Sequence, residues 1–249
     1  MKKGDTMLPT KLKKDKVAEA VCELRFETSL DSSLILGLFF GESRTKYPNI
    51  ETLPINNIPE AVRQSDPNLV FLPTHRIKGS DHRFNIQIGS RSVSIVTQEP
   101  YCGWSDFKSE ILYTLDIIRK QEIVKHFVQL GLKYIDFFDE NLLELSKISI
   151  NINDRVIKSE SSNLNVSMTY EENIISNIQV ANKVDVHFTN SNINKNGSIL
   201  SIDNIIVNPD MLSFDNIEST IEKAHDLQKK LFFEHIIKKD YLETLEPEY

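Results

Sequence analysis

The chain has 249 residues, which is long enough for one large domain or two small ones with a proper core. It contains only 8 glycines, which argues against Gly-rich phosphate-binding loops and long flexible linkers. The longest apolar run, Leu34–Phe40, falls well short of the roughly 20 residues that a membrane-spanning helix needs.

The start of the chain is basic, but no apolar segment follows it, so no export signal is expected. Cys22 and Cys102 have neither metal-site nor disulfide spacing. We therefore expect a cytoplasmic protein that does not associate with membranes.

The net charge of −7 is unevenly distributed. Residues 1–123 carry 17 Lys and Arg against 16 Asp and Glu, whereas the remaining residues carry 12 against 20. The second half is therefore a poor candidate for non-specific nucleic-acid binding, whereas the first half is neutral enough to carry a local basic patch.

The first half begins with a predicted strand and helix. Apolar and polar residues alternate within residues 17–28, which is typical of a strand. Asp31 or Ser32 then caps a helix that Pro48 ends. Four prolines in residues 48–68 predict an extended connection with one short helical turn. Three further strands and an amphipathic helix are predicted at Leu69–Leu72, Arg83–Ile88, Ser92–Gln98 and after Gly103.

The second half repeats this order of elements. A strand at Lys125–Phe137 precedes a short helical stretch after Asp139, and a final helix runs from Phe214 to about Leu242. Between them, four polar strands are predicted at about 147–153, 163–171, 174–190 and 198–207.

Matching features of the two halves are separated by a nearly constant number of residues. Arg25 and Lys133 are 108 residues apart, as are Gly89-Ser90 and Gly197-Ser198. The triplets "VSI" at 93–95 and "LSI" at 200–202 are 107 apart, and the helix residues Trp104 and Phe214 are 110 apart. A diverged tandem repeat produces this pattern, although unrelated hairpin segments can also resemble one another.

The predicted fold class is therefore α+β, as a tandem pseudo-repeat of strand, helix, antiparallel strands and long helix. This is the order of the saddle and helix-grip folds, in which helices cover one side of a curved antiparallel sheet. We expect an N-terminal extension (1–16) and two repeats (17–123 and 124–249) packed as one unit. The open face of the sheet, or the cleft between the repeats, is then the expected binding surface.

Basic residues provide one set of candidate binding groups. Arg25 and Lys133 form either a symmetric anion-binding pair or the solvent side of two strands. Arg76, Arg83 and Arg91 lie near His75, Lys78 and His82 and near aromatic residues, which suits phosphate and base recognition. A sheet edge protected by charge is the alternative interpretation of this second group.

Aromatic residues and one histidine provide the other set. Trp104 at the start of a helix is either a ligand-stacking residue or a core anchor, Tyr134 follows Lys133, and His225 lies on the last helix. No spacing indicates a metal site, a nucleotide cofactor or a catalytic nucleophile with its base. A hydrolase would require carboxylates and His225 to converge in one pocket.

Several short motifs in order resemble a sporadically distributed prokaryotic family of uncharacterised proteins of this same length. They are "EAVCELRF" (19–26), "GLFF…KYP" (37–48), "QIG" (87–89), "YCGW" (101–104), "GLKYI" (131–135), "AH" (224–225), "FF" (232–233) and "PEY" (247–249). Members typically carry Arg at the position of Lys133 and Asn at that of Asp136, and these departures weaken the case that the site needs a guanidinium there. The resemblance implies no activity, but the family's patchy distribution is similar to that of mobile antiviral defence genes.

We therefore expect a non-catalytic binding or accessory protein, without a cofactor, that acts through a protein partner encoded by a neighbouring gene. Antiviral defence is its expected setting. The alternative is nucleic-acid or nucleotide binding on the sheet through Arg and Lys side chains. Self-association remains open.

Overall fold

A large, curved antiparallel sheet forms the centre of the fold. The computed structural model describes residues 7–80, 83–158, 161–171, 173–188 and 193–249, and within these the sheet has nine strands. Across the sheet the order is β10 (Ser162–Glu171), β11 (Ile174–Phe188), β12 (Ile193–Ile206), β7 (His126–Phe138), β2 (Val17–Glu27), β6 (Ser92–Gln98), β5 (Phe84–Ile88), β4 (His75–Lys78) and β3 (Asn49–Thr52).

Helices pack on one face of this sheet, as predicted for an α+β fold. In the described residues the α-helices are α1 (Ser32–Ser43), α2 (Glu60–Ser65), α3 (Trp104–Lys120), α4 (Leu142–Leu145), α5 (Ile217–Lys229) and α6 (Lys239–Thr244). A π-helical segment, Lys230–Ile236, continues α5. The predicted α3 and the strand β7 are confirmed.

The alternation of side chains explains which face is covered. In β2 the buried residues Ala20, Cys22, Leu24 and Phe26 share one core with the apolar residues of α3 and α5. Burial of this face supplies most of the driving force for packing the helices on the sheet. The other face stays partly solvated and carries Glu23 and its neighbours.

Each half of the chain places its strands in the same order. From the centre outward the first half runs β2, β6, β5, β4, and the second runs β7, β12, β11, β10. The two halves meet where β2 pairs antiparallel with β7, with Glu23 opposite Gly131. The sheet is therefore continuous across the boundary between the predicted repeats.

One predicted correspondence between the halves is wrong. Gly89-Ser90 forms the turn between β5 and β6, whereas Gly197-Ser198 lies inside β12. In the sheet, Arg25 lies opposite Ser92 of β6, and Lys133 lies opposite Asp203 of β12. If Arg25 and Lys133 are equivalent, Asp203 is therefore the counterpart of Ser92, and these two residues are 111 apart and not 107 or 108. The shared "VSI" and "LSI" triplets therefore do not occupy equivalent positions.

The connection 48–74 differs from its prediction. It contains β3 and α2, and Leu69–Leu72 forms turns instead of a strand. Val70 of this loop is buried, and the backbone oxygen of Phe71 accepts a hydrogen bond from Ser92 Oγ at 2.6 Å, which ties the loop to the sheet. Strand β4, which was not predicted, pairs with both β3 and β5.

Two elements of the second half also differ. The predicted strand at 147–153 belongs to a separate hairpin of β8 (Ile150–Ile152) and β9 (Arg155–Ile157). The predicted last helix is interrupted at Ile237, whose backbone is extended, and the next residue bonds to Leu145. This pairing with the chain near α4 overrides the local helical preference.

The segment before β2 is tied to the opposite end of the chain. β1 (Lys11–Leu12) pairs antiparallel with β13 (Pro247–Glu248), and Leu12 is buried. The part of the predicted N-terminal extension that the structure describes thus packs against the domain. No helix in the described residues combines the length and apolarity that crossing a membrane requires.

Candidate functional site

A small cavity lies where the start of α3 meets the end of α5 on the helix-covered face. Its volume is about 100 Å³. Strand β7, the π-helical segment and the residues before β2 complete its walls. We call it the Trp104 pocket, and the residues that define it are Asp15, Tyr101, Trp104, Tyr134, Asp136, His225 and Phe232.

Trp104 and His225 form one wall of the Trp104 pocket. Gly103, with φ of 89°, precedes α3 and sets the direction in which Trp104 enters the helix. The indole lies flat on the imidazole, with ring centroids 3.8 Å apart and an interplanar angle of 3°. The indole N–H also donates to Glu222 Oε2 at 3.2 Å, so Trp104 has a fixed orientation.

His225 is held in its neutral form at this wall. Burial lowers the pKa of His225 to about 4, and the positive charge of Lys229 adds to this effect. The ring therefore presents an uncharged face to Trp104 at neutral pH.

Two tyrosines form a second wall. Tyr134 lies on the covered face of β7, opposite the small Ala20 of β2. Its hydroxyl oxygen lies 2.9 Å from that of Tyr101, and their rings meet edge to face at 5.7 Å. Burial raises the pKa of both hydroxyl groups, so both remain protonated at neutral pH.

Asp136 is the most unusual group of the Trp104 pocket. It follows Tyr134 by two residues on the covered face of β7 and is only 3% exposed. Its Oδ2 atom is buried without a hydrogen-bond partner. Burial, reinforced by the nearby charge of Asp15, raises the pKa of Asp136 well above its usual range.

Asp15 lies at the rim of the Trp104 pocket. Its carboxylate accepts a hydrogen bond of 3.0 Å from the backbone N–H of Val17. Surrounding protein raises the pKa of Asp15, although this N–H and the charge of Lys11 counteract the shift. The two carboxyl groups therefore share a site that favours their neutral forms.

This arrangement is suited to holding a small group that carries hydrogen-bond donors or positive charge. Aromatic faces attract cations, and an unpartnered carboxyl accepts hydrogen bonds. Within the described residues, no cluster of three or more His, Cys, Asp or Glu side chains has the geometry to hold a metal ion. The interactions of His225 there involve Trp104, Glu222 and Lys229, and do not include a hydrogen bond to Asp15 or Asp136.

The predicted basic residues are not brought together in this way. The open face carries Arg25, Arg76 and Lys133. Lys133 lies opposite Val21 of β2, and Val21 is four residues from Arg25 on that strand, so the two cations are not neighbours. Arg91 pairs with Glu27 beside this face. Arg83 lies at the start of β5 and pairs with Asp106 at the start of α3. His82 falls outside the described residues.

Each of these cations has an acidic neighbour. Arg25 makes two hydrogen bonds of 3.1 Å to Glu23, and Arg76 lies 3.6 Å from Glu51. Arg83 and Arg91 form ion pairs of 3.2 and 3.0 Å, and Lys133 faces Asp203 across the ladder. The open face is thus of mixed charge.

Of the predicted site residues, Trp104, Tyr134 and His225 therefore converge. Sequence reasoning missed Asp15 and Asp136, although Asp136 had a usable signal. Its side chain lies on the same buried side of β7 as those of Tyr134 and Phe138. A charged residue at such a position indicates a special environment. Comparison with protein-family models and with curated proteins finds no match to this chain.

Proposed function

We propose that this chain is a non-catalytic binding protein that acts through a protein partner and uses the Trp104 pocket for recognition. The observation that carries this proposal is that Trp104, Tyr134, His225 and Asp136 line one pocket, and that the Oδ2 atom of Asp136 is buried without a hydrogen-bond partner. Natural proteins pair most buried polar groups, and an unpaired one in a cavity is suited to a ligand.

A hydrolase is the second candidate, because Asp15, Asp136 and His225 line one pocket. Two features favour binding instead. His225 stacks flat on Trp104 and has a pKa of about 4, which makes it a weak base. Burial raises the pKa of the Cys22 thiol to about 12, so Cys22 is not an activated nucleophile.

Nucleic-acid binding on the open face has weaker support. The ion pairs of Arg25, Arg76 and Arg91 leave less positive charge available to phosphates. A salt titration with single-stranded and duplex DNA tests this alternative. Affinity that falls steeply with salt and that Arg25→Ala and Lys133→Ala both weaken would favour it over the Trp104 pocket.

We also infer that the two halves are diverged copies of one unit. The common strand order supports this, and so does the central register, since Glu23 and Gly131 are 108 residues apart and pair with each other. A pseudo-twofold axis between these residues would exchange Arg25 with Lys133. The Trp104 pocket would then lie at one of two related junctions between the copies.

The setting that we propose is a cytoplasmic antiviral defence system, with the partner encoded by a neighbouring gene. This part of the proposal rests on the family resemblance. Neighbouring genes for a nuclease, an NAD-cleaving enzyme or a membrane pore would support it, and housekeeping neighbours would argue against it.

Co-purification with the products of adjacent genes tests the partner and the site together. We expect Trp104→Ala to lower recovery of the partner, because it removes one wall of the Trp104 pocket. Phe214→Ala is the matched control, since Phe214 is an aromatic residue shortly before α5 that does not line the Trp104 pocket. Equal recovery with wild-type protein and a folded Trp104→Ala variant would contradict the proposed site.

A further inference from the structure

We propose that the Trp104 pocket binds an ammonium group, supplied by a lysine side chain of the partner protein. The ligand class is argued from the chemistry of the pocket, whereas its source in a partner rests on the proposed function. An alkylammonium ion in solution would use the same contacts as the tip of a lysine side chain.

The carboxyl group of Asp136 provides the anionic end of this site once it has lost its proton. It lines the cavity, and its Oδ2 atom is buried with no hydrogen-bond partner in the protein. An ammonium group is a compact donor of three hydrogen bonds, so it can donate to the carboxyl group of Asp136 and place a positive charge beside it.

Aromatic rings provide the walls. Trp104 stacked on the neutral His225, together with Tyr134 and Phe232, presents ring faces and edges to the cavity. Ring faces attract cations, and the attraction is strongest for indole and in desolvated sites. A carboxyl group with aromatic walls selects for positive charge over an equally large neutral group.

The size of the cavity limits the ligand. A volume of about 100 Å³ is the space of roughly three water molecules in the liquid. The terminal methylenes and ammonium of a lysine side chain fit this space. The site therefore suits the end of a side chain.

The surrounding charges determine the pH dependence. Asp15 adds a second acid at the rim, Lys11 and Lys229 are opposing cations, and Tyr101, Tyr134 and His225 are neutral. Because burial raises the pKa of Asp136, the empty site holds a proton that an ammonium group must displace. Binding should then release about one proton and tighten as the pH rises.

Titration with n-butylammonium, with 1-butanol as its neutral isostere, tests this proposal. Trp104 is the only tryptophan, so its fluorescence reports directly on the Trp104 pocket. We expect n-butylammonium to bind at least about tenfold more tightly than 1-butanol. Calorimetry in buffers of different ionisation enthalpy measures the released proton.

Two variants distinguish the charge effect from a change of shape. Asp136→Asn preserves the size of the side chain and should abolish the preference for n-butylammonium. Lys229→Met removes a competing cation and should strengthen binding.

Equal affinity for n-butylammonium and 1-butanol, or a preference that survives in Asp136→Asn, would overturn the ammonium proposal. Such a result would leave the partner proposal to its own test, because co-purification with Trp104→Ala does not depend on ligand charge. Conversely, charge-selective probe binding without any change in partner recovery would support the ammonium site and contradict its role in partner recognition.

Discussion

The two junctions between α3 and α5 contain similar parts but differ in the polar groups that they bury. At the Trp104 junction the start of α3 meets the end of α5, and Trp104 stacks on His225. At the Phe214 junction the start of α5 meets the end of α3, and Phe214 packs against Phe127 with ring centroids 4.9 Å apart. Arg119 lies over the ring of Phe214, 4.9 Å from its centre.

The difference lies in how the polar groups are satisfied. At the Phe214 junction, Arg119 donates a hydrogen bond of 2.7 Å to the backbone oxygen of Phe214. The Trp104 junction instead buries the unpaired Oδ2 atom of Asp136 and a histidine that resists protonation. Groups that reduce stability without packing benefit tend to occur at functional sites, which supports the proposed binding role of the Trp104 junction.

The largest effect is expected from Phe127→Ala, which removes a buried aromatic ring from the Phe214 junction. It should lower the free energy of unfolding by about 3–4 kcal/mol, the usual cost of a Phe-to-Ala cavity. Chemical denaturation measures this change. The folded variant should keep its preference for n-butylammonium, and losing that preference would show that the junctions are not independent.

A smaller effect is expected when acidification protonates His225. The pKa of His225 is about 4 in the folded protein against 6.5 for an unperturbed histidine, so the unfolded chain binds the proton first. Stability is fully present above about pH 6.5 and should decrease by about 3 kcal/mol as the pH falls towards 4. Denaturation at several pH values measures this slope.

His225→Phe is the matched variant, because it keeps a ring on Trp104 but cannot be protonated. The difference in slope between wild type and His225→Phe isolates His225 from the carboxyl groups, whose raised pKa values act in the opposite direction. Identical slopes would contradict the neutral state assigned to His225.

Asp136→Asn should increase stability at neutral pH. The folded protein retains a proton on Asp136 that the unfolded chain loses above its ordinary pKa, so wild-type stability decreases as the pH rises from about 4. The variant avoids this cost and should be more stable than wild type at pH 7, with the gain vanishing in acid. A destabilised Asp136→Asn at pH 7 would show that the carboxyl group has a structural role.

Much of the fold was predictable from short patterns. Alternation in residues 17–28 predicted β2 and its buried face, and the amphipathic stretch after Gly103 predicted α3. The turn at Leu69–Leu72 was not predictable, because a short apolar run has the same appearance whether it pairs as a strand or packs as a loop.

The candidate site was only half predictable for a related reason. Trp104, Tyr134 and His225 attracted attention as residue types, but their convergence depends on the antiparallel arrangement of α3 and α5. Asp15 reaches the Trp104 pocket because β1 pairs with the end of the chain, a contact between distant segments that no local pattern encodes.

Arg119→Gln should have the smallest effect and tests whether packing or charge holds the Phe214 junction. Arg119 is exposed, so losing its contact with the ring and its hydrogen bond should cost only about 0.5 kcal/mol. Lys120→Gln is the matched control, because Lys120 is also exposed and forms an ion pair within α3. If Arg119→Gln instead destabilises the protein as much as Phe127→Ala, the Phe214 junction depends on its cation. The proposed contrast between a junction held by aromatic packing and a junction that binds a ligand would then fail.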